Sequence, residues 1–254
     1  MADNKYVAVG ADLTDACKKT LADMGYAMFV MRPTALLDAP VAAHPDMLFA
    51  IFDCDFITSR AYYEQERALI DAITDAGKYN LIISNTTQRS PYPSDVAFNV
   101  LYINGCVIGN SAHVSADIIK CADERGMKKI NVRQGYAACS TAKVTDRAII
   151  TADSGIAEAA REAGCDALLI APGHIELSGY DYGFIGGASG LIGGKLCFCG
   201  DVRRHPNYGD ISSFCAIHGV EVVSLSDENL RDCGGIIEIK QQNTSDRKGN
   251  RYEN

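Results

Sequence analysis

The sequence predicts an α/β fold in which five ββαβ units close into a five-fold pseudo-symmetric propeller. Three observations predict this fold. Five segments open with a small residue followed by Asp or Asn, a glycine follows each of them at about the length of a helix, and an apolar run follows each glycine. A ring of such units, with helices outside and strand ends inside, leaves few strand edges exposed.

The helices are expected to begin near the Asp or Asn of each unit, because these side chains accept hydrogen bonds from the free amides of a first helical turn. The five pairs are Ala11-Asp12, Cys54-Asp55, Gly109-Asn110, Ala152-Asp153 and Gly200-Asp201. The helices are expected to end at glycines, since glycine adopts the left-handed conformation without steric cost. These glycines are Gly25, Gly77, Gly126, Gly164 and Gly219.

A buried strand is expected after each glycine, because the apolar residues there are nearly continuous. The runs cover residues 27–30, 81–83, 129–132, 167–170 and 220–223. A loop then leads to a short segment that starts the next unit.

Alignment of these short segments places one residue from each unit in a common register. Successive residues in this register are 49, 44, 50 and 44 positions apart. Equivalent positions in a closed ring converge toward its axis, so the five residues are expected to line one central channel. They are Asp46, Asp95, Cys139, Ser189 and Cys233.

Residues 1–240 are predicted to form one domain, followed by a polar tail at 241–254 that is expected to fray. Apolar residues make up 47% of the chain, which is ample for a core. The net charge of −8 argues against nucleic acid as a partner. No apolar run reaches the roughly 20 residues that a membrane span needs, and no leader precedes Lys5.

The ten cysteines are spread through helix and strand patterns, which favours reduced thiols and a cytoplasmic protein over a secreted disulfide framework. No cofactor or metal is expected. The glycine-rich stretch 183–190 lacks the lysine and the following helix of a nucleotide-binding loop. Cys197 and Cys199 lack a second pair of ligands at zinc-binding spacing. The oligomeric state stays open, with a homodimer as one possibility.

The repeat and the segment Gly186-Gly-Ala-Ser-Gly190 resemble the pentein superfamily. This is the fold of guanidino-group-modifying enzymes such as arginine deiminases, amidinotransferases and dimethylarginine dimethylaminohydrolases. The segments 44–47, 133–140 and 179–187 look more particularly like a bacterial branch of that superfamily. The resemblance covers the chain from about Tyr6 to Lys240.

The resemblance implies a site in the central channel. There, a Cys from the last unit attacks the guanidinium carbon, a His serves as acid and base, and carboxylates hold the cationic substrate. In many members the Cys lies in a Gly-Gly-x-His-Cys-like segment, and the corresponding stretch here is Gly234-Gly-Ile-Ile-Glu238. Ile237 then stands at the His position and Glu238 at the Cys position, and neither side chain can supply a thiol nucleophile.

Cys233 is the candidate nucleophile, because it precedes two glycines in the fifth unit and shares the channel register. A thiolate there needs a base or a positive environment. Asp95, Cys139 and Ser189 are expected beside it as substrate-binding residues. The alternative is that Cys139 and Cys233 are small apolar packing residues.

His44 and Asp46 form the second group of candidate catalytic residues. Alternate residues of an extended segment point the same way, so both are expected to face the channel. His44 would act as the base, and Asp46 would orient it or bind a cation. A turn capped by Asp46 is the alternative, and His174 is the second candidate base.

The segment Gly179-Tyr-Asp-Tyr-Gly183 places Asp181 between Tyr180 and Tyr182. A carboxylate and two ring faces together can hold an amine or a guanidinium. A tight turn with packed tyrosines is the alternative. Arg133 with Gln134 could instead clamp a carboxylate.

Two functions stay open. One is a guanidino-modifying enzyme or divergent hydrolase that acts on a small cationic substrate through Cys233, His44 and Asp46. The other is a non-catalytic pentein that binds a small ligand or a protein partner, which the Ile237 and Glu238 replacements favour. Hydrolysis by Ser189 or Ser140 in the same channel is a third, less supported, interpretation.

Overall fold

The computed structural model describes residues 5–242, so residues 243–254 of the predicted tail lie outside the described range. The strands are β1 (Lys5–Gly10), β2 (Tyr26–Met31), β3 (Phe49–Phe52), β4 (Asp55–Ser59), β5 (Asn80–Ser84), β6 (Leu101–Ile103), β7 (Cys106–Gly109), β8 (Lys128–Asn131), β9 (Thr141–Thr145), β10 (Ala148–Thr151), β11 (Asp166–Leu169), β12 (Ser189–Ile192), β13 (Lys195–Phe198), β14 (Glu221–Ser224) and β15 (Ile236–Ile239). The helices are α1 (Asp15–Asp23), α2 (Pro45–Leu48), α3 (Arg60–Gly77), α4 (Ala116–Glu124), α5 (Ser154–Glu162) and α6 (Tyr208–Ile217).

Within the described residues the strands form five three-stranded sheets. In four of them a tight turn joins two antiparallel strands, and a helix then crosses over to a third strand that is parallel to the second. The fifth sheet has the order β15-β1-β2, so the last strand of the described chain pairs antiparallel with the first. This closes the ring and confirms the five-fold pseudo-symmetric α/β propeller.

The predicted helix starts are correct in only part of the repeat. Asp153 caps α5 by accepting a hydrogen bond from Ile156 N at 2.9 Å. Asp201 caps only a 3₁₀ turn, by accepting from Arg203 N at 3.0 Å, and α6 begins later, at Tyr208. The other three predictions are wrong, since a serine or threonine further along caps the helix instead: Thr14 at α1, Ser59 at α3 and Ser115 at α4. The displaced acidic groups make tertiary contacts, as Asp55 does by pairing with Arg125.

Four of the five predicted helix-ending glycines have positive φ: Gly25, Gly126, Gly164 and Gly219. Gly77 does not, and Lys78 adopts the left-handed conformation in its place with φ of 54°. A Cβ at Gly77 would lie 2.1 Å from the ring of Tyr79. Close packing therefore explains this glycine better than its backbone conformation does.

Buried apolar side chains pack between neighbouring units and join the sheets. One cluster brings Ala8 and Met31 of the sheet β15-β1-β2 against Phe49 and Phe56 of the sheet β3-β4-β5. All ten cysteines lie in the described range as free thiols, and nine of them are buried. No helix within residues 5–242 is both long enough and apolar enough to cross a membrane.

Candidate functional site

One segment from each unit reaches the axis of the ring, and each segment hydrogen-bonds to the next. The donors and acceptors, in order around the axis, are Asp46 N to Gly234 O at 3.3 Å, Asn99 Nδ2 to Asp46 O at 3.0 Å, Cys139 N to Asn99 Oδ1 at 3.2 Å, Gly187 N to Cys139 O at 3.0 Å, and Cys233 N and Gly235 N to Gly187 O at 2.9 and 2.8 Å. The hydrogen bonds form a closed circle, because the first accepts at Gly234 and the last is donated by the neighbouring Gly235. The five units therefore meet at the axis as the repeat predicts.

The positions that meet differ in part from the predicted register. Asn99 occupies the place expected for Asp95, and Gly187 the place expected for Ser189. The register slips because Asn99 lies at the end of a turn, where its amide donates to Val96 O at 3.0 Å. A repeat read from the sequence does not include such local turns.

A cavity of about 230 Å³ lies beside these segments. It opens toward a larger cleft of about 1180 Å³, which shares His44, Tyr180, Asp181, Tyr182 and Asp232 with it. The polar and aromatic residues that line the smaller cavity are His44, Tyr136, Cys139, Tyr180, Asp181, Tyr182, Phe184 and Asp232. Five of the sequence-predicted site residues thus line one cavity: His44, Cys139, Tyr180, Asp181 and Tyr182.

His44 lies between two carboxylates. Its side chain is 1% exposed, with Nδ1 3.6 Å from Asp232 Oδ1 and Nε2 3.6 Å from Asp12 Oδ2. These distances exceed hydrogen-bond length, and neither nitrogen has a hydrogen-bond partner among the described residues. Burial lowers the pKa of His44, but Asp12, Asp232 and Asp46 together raise it above the ordinary 6.5.

The prediction that residues 44–46 are extended is wrong. Pro45 is the first residue of α2, a single helical turn in which Leu48 N donates to His44 O. Proline is favoured at this position because its φ is already helical and its missing amide has no partner there in any case. His44 therefore lines the cavity, whereas Asp46 lies behind it.

Asp232 directly precedes the predicted nucleophile Cys233, and it is Asp232, not Cys233, that lines the cavity. Its Oδ2 accepts from Phe184 N at 2.8 Å, and its Oδ1 accepts from Gly234 N at 3.1 Å. Burial raises its pKa, and His44 opposes that effect. A Cβ at Gly187 would lie 1.9 Å from Asp232 Oδ1. The glycine-rich segment is thus needed to make room for this carboxylate.

Cys139 lines the cavity and interacts with Asp46, which does not line it. Burial raises the pKa of Asp46 to about 6, although His44 lowers it. Burial, with Asp46 and Asp232, raises the pKa of the Cys139 thiol well above 9.0. Asn99 Nδ2 donates to Cys139 Sγ at 2.9 Å. Burial and the carboxylates around Cys139 thus oppose a negative charge on its thiol.

Besides Asp46, three predicted residues do not line the cavity: Cys233, Asp95 and Ser189. Cys233 is 0% exposed, and its Sγ lies 4.0 Å from Asp12 O and against Cys199. Asp95 is buried behind Tyr136, whose hydroxyl donates to Asp95 Oδ2 at 2.7 Å. Ser189 Oγ donates to Ile185 O at 2.8 Å within its own segment.

The sequence reading missed four residues of the site: Asp12, Asn99, Tyr136 and Asp232. The sequence pattern predicts Asp12 at a helix start, and Asp232 directly precedes the candidate nucleophile Cys233. Asn99 stands alone in the apolar run 96–100, where a buried amide requires several partners. That isolated polar residue was the available signal.

His174, the second candidate base, lines the larger cleft, with its ring centroid 5.7 Å from that of His205. Within residues 5–242, no group of three or more His, Cys, Asp or Glu side chains is arranged to hold a metal ion.

The chain is similar in structure to several solved proteins at low identity. It is similar to DDAH from Pseudomonas aeruginosa complexed with citrulline, at 11% identity over 92% of this chain and 98% of that chain, with a TM-score of 0.56. It is similar to agmatine deiminase of C. jejuni, at 9% identity over 94% of both chains and a TM-score of 0.56.

An amidinotransferase from Microseira wollei in the saxitoxin biosynthetic pathway matches at 11% identity over 94% of this chain and 95% of that chain, with a TM-score of 0.53. All three are penteins, and similarity at this level shows the fold. A search of curated proteins found no match. A family model described as a family of unknown function (DUF6873) matches residues 8–237. The chain therefore has the pentein fold and belongs to this family of unknown function (DUF6873).

Proposed function

We propose that this protein binds a small organic cation in the 230 Å³ cavity. The observation that carries the proposal is the excess of carboxylates around His44. Asp12 and Asp232 flank the imidazole at 3.6 Å, Asp46 lies behind it, and Asp181 is on the cavity wall. No lysine or arginine is among the described residues that line this cavity.

The charge balance favours a cationic ligand even when His44 is protonated. One imidazolium faces several carboxylates, and burial, with a smaller contribution from their mutual repulsion, raises the pKa values of Asp46 and Asp232. A bound cation would relieve that repulsion, so binding and ionisation of these carboxyls are coupled. The solved relatives include an agmatine deiminase and an amidinotransferase, and these names support a nitrogenous ligand here.

A second candidate function is turnover of a guanidino compound. It is favoured by the presence of a thiol and an imidazole, Cys139 and His44, on one cavity wall. In this reaction the Cys139 sulfur would bond to the guanidinium carbon after passing its proton to Asp46. The C–N bond to the leaving amine would break as His44 protonates that amine, and water would then release the product from sulfur.

The raised pKa of Cys139 favours binding over turnover, since the thiolate is the nucleophile. The residues at the superfamily's His and Cys positions, Ile237 and Glu238, cannot serve as the nucleophile in place of Cys139. Glu238 Oε1 accepts from Gly193 N at 3.0 Å, and Ile237 packs in the apolar core. Cys233 stays a prediction as a nucleophile, and its burial outside the cavity lining does not support that role.

Calorimetry and thermal unfolding of the full chain test the binding proposal. Agmatine and methylamine are compared with urea, a neutral ligand of similar hydrogen-bonding capacity. We expect the cations to raise Tm and urea to have no effect, because a ligand that binds only the native state stabilises it. Asp181→Asn should weaken binding, whereas Asp210→Asn, at an exposed carboxylate of α6, should not.

Equal shifts with urea and with the cations would contradict the proposal. For the second candidate, the same samples are analysed by mass spectrometry for a covalent adduct and for released amine. Turnover that is lost in Cys139→Ser and retained in Cys233→Ser would support Cys139 as nucleophile. The opposite result would restore Cys233 to that role.

A further inference from the structure

Four aromatic rings line the 230 Å³ cavity: Tyr136, Tyr180, Tyr182 and Phe184. The centroids of Phe184 and Tyr136 are 6.0 Å apart at an interplanar angle of 36°. Phe184 and Tyr182 are 6.4 Å apart and nearly perpendicular, at 88°. Rings at right angles form two walls of one corner, so a ligand there contacts aromatic surface on more than one side.

The inner rings of this group are held in place before any ligand binds. The Tyr136 hydroxyl donates to Asp95 Oδ2 at 2.7 Å, and Tyr92 packs against the same ring at a centroid distance of 5.4 Å. The backbone amide of Phe184 donates to Asp232 Oδ2 at 2.8 Å. Tyr180 and Tyr182 are each 45% exposed, so the outer rings are accessible to a ligand. A pre-organised wall loses little freedom on binding.

Asp232, the buried carboxylate beside these rings, offers negative charge but few free positions to accept hydrogen bonds from a ligand. Both oxygens of Asp232 already accept backbone amides, from Phe184 and Gly234. A guanidinium carries five N–H donors in a fixed plane and needs a matching set of acceptors. A fully alkylated ammonium has no N–H group, so ring faces and nearby negative charge suffice to bind it.

We propose, as a refinement of the binding function above, that the cavity recognises an N-methylated ammonium group, with Asp232 and Asp181 supplying the charge. The volume of 230 Å³ is below the roughly 300–1,000 Å³ of pockets for drug-sized ligands, which suits a compact head group. The remainder of the ligand would extend past Tyr180 and Tyr182 into the larger cleft, which both residues also line.

Isothermal titration of the full chain with choline tests this inference. The matched control is 3,3-dimethyl-1-butanol, which has the same shape and carries no charge, and agmatine represents the guanidino class. We expect choline to bind at least about tenfold more tightly than either compound. Tyr182→Leu should weaken choline binding about tenfold, and Tyr182→Phe should retain it because the ring face remains.

The outcomes separate the two proposals. If agmatine binds and choline does not, the ammonium inference is overturned while the cation-binding function stands. If neither cation binds, both are overturned. If the neutral alcohol binds as tightly as choline, or if Tyr182→Leu binds choline like the parent, the rings provide only an apolar wall and the inference fails.

Discussion

The side-chain amide of Asn99 holds Cys139 by two atoms. Asn99 Nδ2 donates to Cys139 Sγ at 2.9 Å, and Asn99 Oδ1 accepts from Cys139 N at 3.2 Å. The same Oδ1 accepts from Ala138 N at 2.8 Å, and Nδ2 also donates to Asp46 O at 3.0 Å. Asn99 is fully buried, so these hydrogen bonds have no replacement from solvent.

Asn99→Ala is expected to lower the free energy of unfolding by about 2–4 kcal/mol, because it leaves the buried amide of Cys139 and the half-buried amide of Ala138 without an acceptor. Urea denaturation measures the change. Asn85→Ala is the control, since Asn85 only accepts an exposed hydrogen bond from Arg60 Nε. Equal losses of stability in the two variants would contradict the conclusion that Asn99 links the segments of Asp46 and Cys139 at the axis.

Gly187→Ala is expected to destabilise the protein by several kcal/mol or to displace Asp232. The added Cβ would lie 1.9 Å from Asp232 Oδ1, and Asp232 is itself enclosed by buried neighbours. Gly209→Ala in α6 meets no atom within 4 Å and should raise stability by up to about 1 kcal/mol. Thermal unfolding of both variants makes the comparison, and a silent Gly187→Ala would refute the packing argument.

His44 should titrate above its ordinary pKa of 6.5 in the free protein, and Asp232→Asn should lower that value because one flanking carboxylate is lost. NMR titration of the His44 ring protons measures both. A folded-state pKa raised above the unfolded one contributes stability that is fully present below pH 6.5 and is lost as the pH rises through the folded pKa. His44→Gln should therefore cost more stability in acid than in alkali, and a pH-independent cost would contradict this assignment.

Iodoacetamide should label Cys54 before Cys139 at neutral pH. Cys54 is half-buried, whereas Cys139 is buried and its pKa is raised well above 9.0. The thiolate is the reacting form, so both burial and pKa slow Cys139. Peptide mapping by mass spectrometry gives the order of labelling. Faster labelling of Cys139 would show an activated thiol and would favour turnover over binding.

The fold could be predicted from the sequence because the helix-ending glycines and the apolar runs that recur in each unit have direct physical causes. Gly126 and Gly164 adopt positive φ where helices end, and strands β8 and β11 follow them as predicted. These are local requirements that repeat in each unit. The prediction that β8 and β11 are buried is wrong, because each is the outer strand of its sheet and is largely exposed or half-buried. The helix starts were less predictable, since Asp12 and Asp55 are drawn into tertiary ion pairs that no local pattern shows.

The candidate site could be predicted only in outline. The repeat predicts Cys139 at the axis, and Cys139 lines the cavity. His44 also lines it, although the segment that predicts its position is a helical turn and not extended. The choice between Asp232 and Cys233 depends on the backbone at Gly234 and Gly235, where φ is 73° and 78°. Adjacent side chains point in different directions there, and residue types alone do not say which one faces the ligand.

The pairing of β15 with β1 joins the last strand of the described residues to the first. Asp232 precedes β15 directly, so the carboxylate beside His44 is among the last residues of the described chain to leave the ribosome. A nascent chain that has completed four sheets still lacks this charge and the amide of Gly234 that holds it. The negative charge beside His44 is therefore completed only when β15 pairs with β1 and closes the ring.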